Sequence, residues 1–126
     1  MTAIISIVDD DESVREATKS LVRSLGYIAL TFSSAEEFLA SECVRDTACV
    51  ITDLHMPGLS GLDMQSRLIG EGYKVPIVFI TAYPEERHRQ RALQDGAVCF
   101  IAKPYSERHL IGCLERALSS GDAGTA

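Results

Sequence analysis

The chain has 126 residues, 46% hydrophobic and 24% charged, with a net charge of −6 and a pI of about 5.0. That length suits one domain with its own core. The acidic balance excludes nucleic-acid binding by this chain alone, because a phosphate backbone demands clustered Lys and Arg. No apolar run reaches the roughly 18 residues that a membrane span needs.

The elements alternate between short apolar runs and helical periods. Residues 3–8 form a near-continuous apolar run, as expected of a strand buried on both faces, and end at Asp9, Asp10 and Asp11. From Val14 the apolar positions fall at 14, 17, 21, 22 and 25, the stripe of an amphipathic helix, and Gly26 stops it. Residues 27–32 read as a second strand. Ser34 and Glu37 have capping-box spacing and open a short helix through about Ser41. Residues 48–52 are a third buried strand, with Asp53 at its end, and residues 55–61 hold Pro57, Gly58 and Gly61, a loop. A third helix follows over about 62–69.

Residues 75–80 read as a fourth strand ending at Thr81, with Pro76 tolerable only near its start. Residues 84–95 look helical, with Pro84 in the first turn, but Ala92 and Leu93 are the only apolar anchors from Pro84 to Gln94. This fourth helix should therefore be among the less stable elements. Residues 98–102 are a fifth strand followed by Lys103 and Pro104. The last helix starts near Ser106, with a stripe at Leu110, Ile111, Leu114, Ala117 and Leu118. Residues 1–119 form one domain, and 120–126 read as a disordered tail or the start of a linker. Strands alternating with helices predict an α/β three-layer sandwich around a parallel sheet.

There are four cysteines, Cys43, Cys49, Cys99 and Cys113, and no C-x-x-C pair. The first residues lack the basic segment of a signal peptide. The expectation is a cytoplasmic protein with four free thiols, Cys49 and Cys99 acting as small buried hydrophobes.

The chemistry collects at the carboxyl ends of the strands: Asp9 and Asp10 after the first, Asp53 after the third, Thr81 after the fourth, Lys103 after the fifth. In open α/β sheets that edge is where ligands bind. Packed carboxylates repel one another, and a divalent cation relieves the conflict; an all-oxygen donor set favours Mg²⁺. Asp53 can then act as a carboxylate nucleophile toward a phosphoryl group, with Lys103 as a point charge and Thr81 as a hydroxyl donor. Each residue alone is weak. Asp53 alone is an ordinary strand-end acid, Thr81 a common strand residue and Lys103 a solvated charge.

Residues 8–12, 52–61, 80–82 and 103–105 together resemble the receiver domains of two-component response regulators, most nearly the FixJ-type subgroup, over about residues 3–119. The resemblance implies a flavodoxin-like (βα)5 fold with strand order 2-1-3-4-5. It implies that Asp53 accepts a phosphoryl group from a sensor histidine kinase. It implies Mg²⁺ held by Asp10, Asp53 and the backbone carbonyl of His55, with Asp9 acting through water. Thr81 matches the switch hydroxyl, Phe100 the aromatic that changes rotamer, and Lys103–Pro104 a peptide that is usually cis. Phosphorylation-dependent homodimerisation through the fourth helix and fifth strand is implied in the same way, as is control of transcription by a domain outside this chain.

The His55 side chain is expected to lean over the site, and Tyr83 to stand at its entrance. His88 with Arg87, Arg89 and Arg91 is expected to form a solvated helix face. Asp11 is open between an acidic-site role and a helix-terminal one; Glu12 is assigned to the helix terminus. The chain is expected to be a signalling domain, not an enzyme with a separate substrate. Three alternatives stand beside this reading. One is a Mg²⁺-dependent phosphatase, in which a second acid would stand where His55 does. The others are a stand-alone phosphorelay receiver and a phosphorylation-independent binding scaffold.

Overall fold

The structure is a computed structural model; it describes residues 2–125, with side chains described through residue 119. The elements run β1 (Ile4–Val8), α1 (Glu12–Ser24), β2 (Ile28–Phe32), α2 (Ala35–Ala40), β3 (Cys49–Asp53), α3 (Gly61–Gly70), β4 (Ile77–Thr81), α4 (Glu86–Gln94), β5 (Cys99–Ala102) and α5 (Glu107–Thr125). The five strands are parallel, in the order β2-β1-β3-β4-β5. This is the flavodoxin-like architecture.

The apolar strands explain the layering. Along β3 and β4 successive side chains point to opposite faces, so a continuous apolar run feeds two cores. Val50, Ile77 and Phe79 join Phe38 of α2, Met64 and Leu68 of α3 and Ala92 of α4. Ile51, Val78 and Ile80 join Val22 of α1 and Leu110, Leu114 and Ala117 of α5. Helices α2, α3 and α4 therefore cover one face, and α1 and α5 the other. Each fully buried aromatic or aliphatic side chain, Phe38 or Leu114 for example, contributes about 1.5–3 kcal/mol by leaving water.

Several helix starts follow from local chemistry. Asp11 is the N-cap of α1, accepting from the Val14 N–H at 3.2 Å, which settles the position left open in the sequence. Ser34 caps α2 through the Glu37 N–H at 3.0 Å. The reciprocal half of the expected box is absent: the Glu37 carboxylate accepts from Ser33 Oγ instead. The complete capping box lies at Ser60 and Asp63, at the start of α3.

Helix α4 differs from expectation. It begins at Glu86, so Pro84 precedes it, and its N-cap Glu85 makes no side-chain cap. Pro76 likewise lies outside β4, donating nothing to the ladder while its carbonyl accepts from Val50 N–H. The tail expected over 120–126 falls on side chains outside the described residues; the backbone continues α5 to Thr125.

The expectation of four free thiols is corrected. Cys99 of β5 and Cys113 of α5 form a disulfide, with Cα atoms 6.1 Å apart, and Cys43 and Cys49 are free. Nothing in the linear spacing signals this pairing. It arises because the apolar stripe of α5 packs directly on the face of β5 that presents Cys99.

Candidate functional site

Strand register brings the acids together. Val8 pairs with Thr52, so the next residues, Asp9 and Asp53, stand side by side at the ends of β1 and β3. That is the point where the strand order reverses direction, β2 lying to one side of β1 and β3 to the other. Asp53 pairs with Ile80, and Thr81 with Ala102, which carries Thr81 and Lys103 to the same edge. The Lys103 N–H donates to the Thr81 carbonyl at 2.7 Å, and the Lys103–Pro104 peptide is cis.

The side chains converge accordingly. Lys103 Nζ lies 3.2 Å from Asp9 Oδ2 and 3.4 Å from Asp53 Oδ2. One carboxylate oxygen from each of Asp9, Asp10 and Asp53 lies within 4.8 Å of the others. Asp9 is buried; its other oxygen accepts from the Asp11 N–H at 2.9 Å, and its carbonyl accepts from Arg15 Nη1 at 2.7 Å. Asp10 is exposed. Thr81 is buried, and its hydroxyl accepts from the Tyr83 N–H at 3.1 Å.

Charge in this cluster is poorly balanced. Burial and the neighbouring Asp9 carboxylate push the Asp53 carboxyl above its ordinary value, and the Lys103 ammonium opposes them. Burial would lower the Lys103 ammonium, but the carboxylates of Asp9 and Asp53 outweigh it and raise the group. Three carboxylates facing one lysine leave a net negative pocket with only oxygen donors. Asp9, Asp10 and Asp53 thus fit a hard divalent cation such as Mg²⁺.

The chain matches the model of the response regulator receiver domain over residues 5–115. It belongs to that family. Among its relatives, the response regulator protein TmoT of Ectopseudomonas mendocina is 41% identical over 116 residues, which is 92% of this chain and 53% of TmoT. Nodulation protein W of Bradyrhizobium diazoefficiens is 39% identical over 86% of this chain and 48% of its own length. The transcriptional regulatory protein FixJ of Azorhizobium caulinodans is 30% identical over 90% of this chain and 54% of its own. The receiver chain thus spans about half the length of these curated relatives. In structure it is similar to the response regulator StyR, with a TM-score of 0.91 at 35% identity, covering 99% of this chain and 63% of StyR. It is similar also to FixJ-N, with a TM-score of 0.84 at 31% identity, covering 94% and 95%.

Other expected residues fall around the receiver site. Phe100 is half-buried and packs on Phe79, their ring centroids 6.4 Å apart. His55 is exposed, and Tyr83 is 71% exposed, with their rings 6.1 Å apart. His88 corrects the sequence reading. It does not share the solvated face of Arg87, Arg89 and Arg91, which are exposed; it is half-buried with its ring 5.5 Å from His55. The helical turn at the start of α4 turns it toward the β3–α3 loop, away from the arginines on either side in sequence.

Two supporting residues escaped the sequence reading. Glu36 of α2 accepts from the Leu59 N–H at 3.2 Å and so braces the loop after Asp53. Gly61 was read only as a loop breaker. A Cβ there would stand 2.5 Å from the Asp53 carbonyl oxygen and 3.0 Å from the Phe79 ring, so glycine lets α3 begin against the end of β3. The run of Pro57, Gly58 and Gly61 signals a turn, but this close approach exists only between β3, β4 and α3. No helix among the described residues is long and apolar enough to cross a membrane.

Proposed function

We propose that this chain is a phosphorylation-controlled switch in which Asp53 accepts a phosphoryl group from a phosphohistidine on a sensor histidine kinase. The observation that supports this most is the convergence of Asp9, Asp10, Asp53, Thr81 and Lys103 at one sheet edge from four separate strands. An Asp53 carboxylate oxygen attacks phosphorus, the P–N bond breaks with its electron pair going to nitrogen, and the leaving imidazole takes a proton from water. The product is an acyl phosphate on Asp53.

Asp10, Asp53 and the His55 carbonyl, with Asp9 through water, are the residues that would hold Mg²⁺, which when bound neutralises phosphoryl oxygens and keeps Asp53 ionised. Lys103, already between Asp9 and Asp53, supplies a cation to the transferred group, and the Thr81 hydroxyl supplies a donor. The added negative charge changes what Lys103 and Thr81 bind, and both sit at ends of strands flanking α4. Phe100, half-buried on β5, is the aromatic that follows this change. The output surface is the α4–β5 face, through which phosphorylated chains pair with one another. Since the chain spans about half of relatives that include a transcriptional regulator, transcription is the proposed output, carried by a domain outside these residues. The protein works in the cytoplasm, where its kinase partner presents phosphohistidine, and has no separate small-molecule substrate.

Intact mass after incubation with acetyl phosphate tests the chemistry. The expected result is one phosphoryl adduct that forms with Mg²⁺, fails with a chelator, and is absent in Asp53→Asn. An adduct that persists in Asp53→Asn would move the acceptor elsewhere and overturn the reading.

A further inference from the structure

Cys99 and Cys113 are 6% and 2% exposed and lie in the same apolar cluster, yet they come from elements whose other contacts are noncovalent. Their Cα atoms, 6.1 Å apart, lie within the range that a disulfide spans without backbone movement. Arg116, one turn along α5, directs Nη1 to Cys99 Sγ at 3.7 Å. A guanidinium beside a sulfur favours negative charge on it, the form that reacts with oxidants. Arg116 also lines a cleft with Ile77, Ala97 and Val98, so the residue that contacts the Cys99 sulfur is itself open to small molecules. Cys49 is the contrast: it is buried in the same cluster without such a partner, and burial pushes its thiol up to about 12.

We propose that Cys99 and Cys113 form a reversible redox modification site, a dithiol that peroxide converts to a disulfide, and that the cross-link restrains the switching of β5 against α5. In a reducing compartment, disulfides that do form are usually transient and redox-sensing, which fits a buried pair that ties down the strand leading to Lys103. Cys99 thiolate attacks one oxygen of hydrogen peroxide, the O–O bond breaks, and hydroxide leaves to become water. Cys113 then attacks the sulfenic sulfur, the S–O bond breaks, and a second water leaves as the S–S bond forms. Two thiols lose two protons and two electrons, and one peroxide becomes two waters.

The consequence for signalling rests on the phosphorylation reading above. Cys99 precedes Phe100, and β5 leads directly into Lys103. When Asp53 gains charge, Lys103 pulls on β5; a bond from the start of β5 to the middle of α5 resists that displacement. The oxidised chain therefore phosphorylates more slowly than the reduced chain.

The test first reduces the folded protein with dithiothreitol and removes the reductant, then treats it with hydrogen peroxide, alkylates with maleimide under denaturing conditions and maps the peptides. The expected product is two hydrogens lighter, with Cys99 linked to Cys113, Cys49 still alkylated, and full reversal by dithiothreitol. Melting should rise by about 10 °C on oxidation and not in Cys113→Ala. Both thiols remaining alkylable, or a bridge to Cys43 instead, overturns the site. If Cys113→Ala fails to fold, oxidised and reduced wild type carry the same comparison. Phosphorylation of the two wild-type forms by acetyl phosphate is then compared, with several-fold slowing expected; equal rates overturn the regulatory role. Absence of any adduct in either form refutes the phosphorylation reading, and with it the regulatory role, while leaving the mapped thiol bridge in place.

Discussion

Asp53 carries opposing demands. The proposed reaction requires its carboxylate to be ionised, yet burial and Asp9 favour its protonated form. A carboxyl whose folded value is raised penalises the folded state increasingly as pH rises from the unfolded value of 3.8 to the folded value, and fully above it; below 3.8 both states are protonated and the penalty is gone. Asp53→Asn is therefore expected to raise the melting temperature by a few degrees at neutral pH without Mg²⁺. The gain should shrink as pH falls through the raised value. Adding Mg²⁺ should stabilise wild type and not the variant, because the cation removes the conflict in wild type. Lys103 has the opposite sign. Its folded value is raised above 10.5, so its contribution is fully present below 10.5 and is lost as pH rises through the folded value. Thermal melts across pH, with and without Mg²⁺, read both effects; a variant less stable than wild type at neutral pH would show that the Lys103 pairing outweighs the repulsion.

At the scale of elements, the start and end of α3 differ sharply. Gly61 meets the Asp53 carbonyl and Phe79, whereas nothing lies within 4 Å of a Cβ at Gly70. Gly61→Ala is expected to destabilise by about 1–3 kcal/mol, since backbone and ring must shift. Gly70→Ala is expected to be neutral or to stabilise by about 0.5–1 kcal/mol through helix propensity. Urea unfolding of the two variants checks the contrast, and equal effects would show that α3 relaxes away from β3 at little cost. Helix α4 illustrates the reverse case, an element legible in type but not in extent. Its sparse apolar anchors were evident in the sequence, and Ala92 is its one buried residue. Its start was not evident, because Pro84 is as compatible with the preceding turn as with a first helical turn.

Over the whole molecule, burial is unevenly distributed. Strands β3 and β4 are buried along their entire length and bind the two cores into one unit. Helix α4 and edge strand β5 hold fewer buried groups, and α4 lacks a side-chain cap. Phosphorylation is expected to change hydrogen-exchange protection mainly over residues 82–105 and to leave β1 and β3 unchanged. Exchange followed by mass spectrometry, with and without acetyl phosphate, reads this directly; changes confined to α1 or α2 would count against a switch built on α4 and β5.

The alternation of elements, the parallel sheet and the acids that meet at one sheet edge are legible in the local pattern of the chain. This is so because strand burial on both faces and strand-end chemistry are written locally, in unbroken apolar runs that stop at Asp9, Asp53, Thr81 and Lys103. Contacts that depend on register and helix rotation emerge only in the folded chain. Helix rotation set Cys113 against Cys99, and the turn into α4 brought His88 to His55. Packing of α2 and α3 placed Glu36 and Gly61 behind the Asp53 loop. These contacts join residues distant in the chain, and their distances are fixed only when the two cores close.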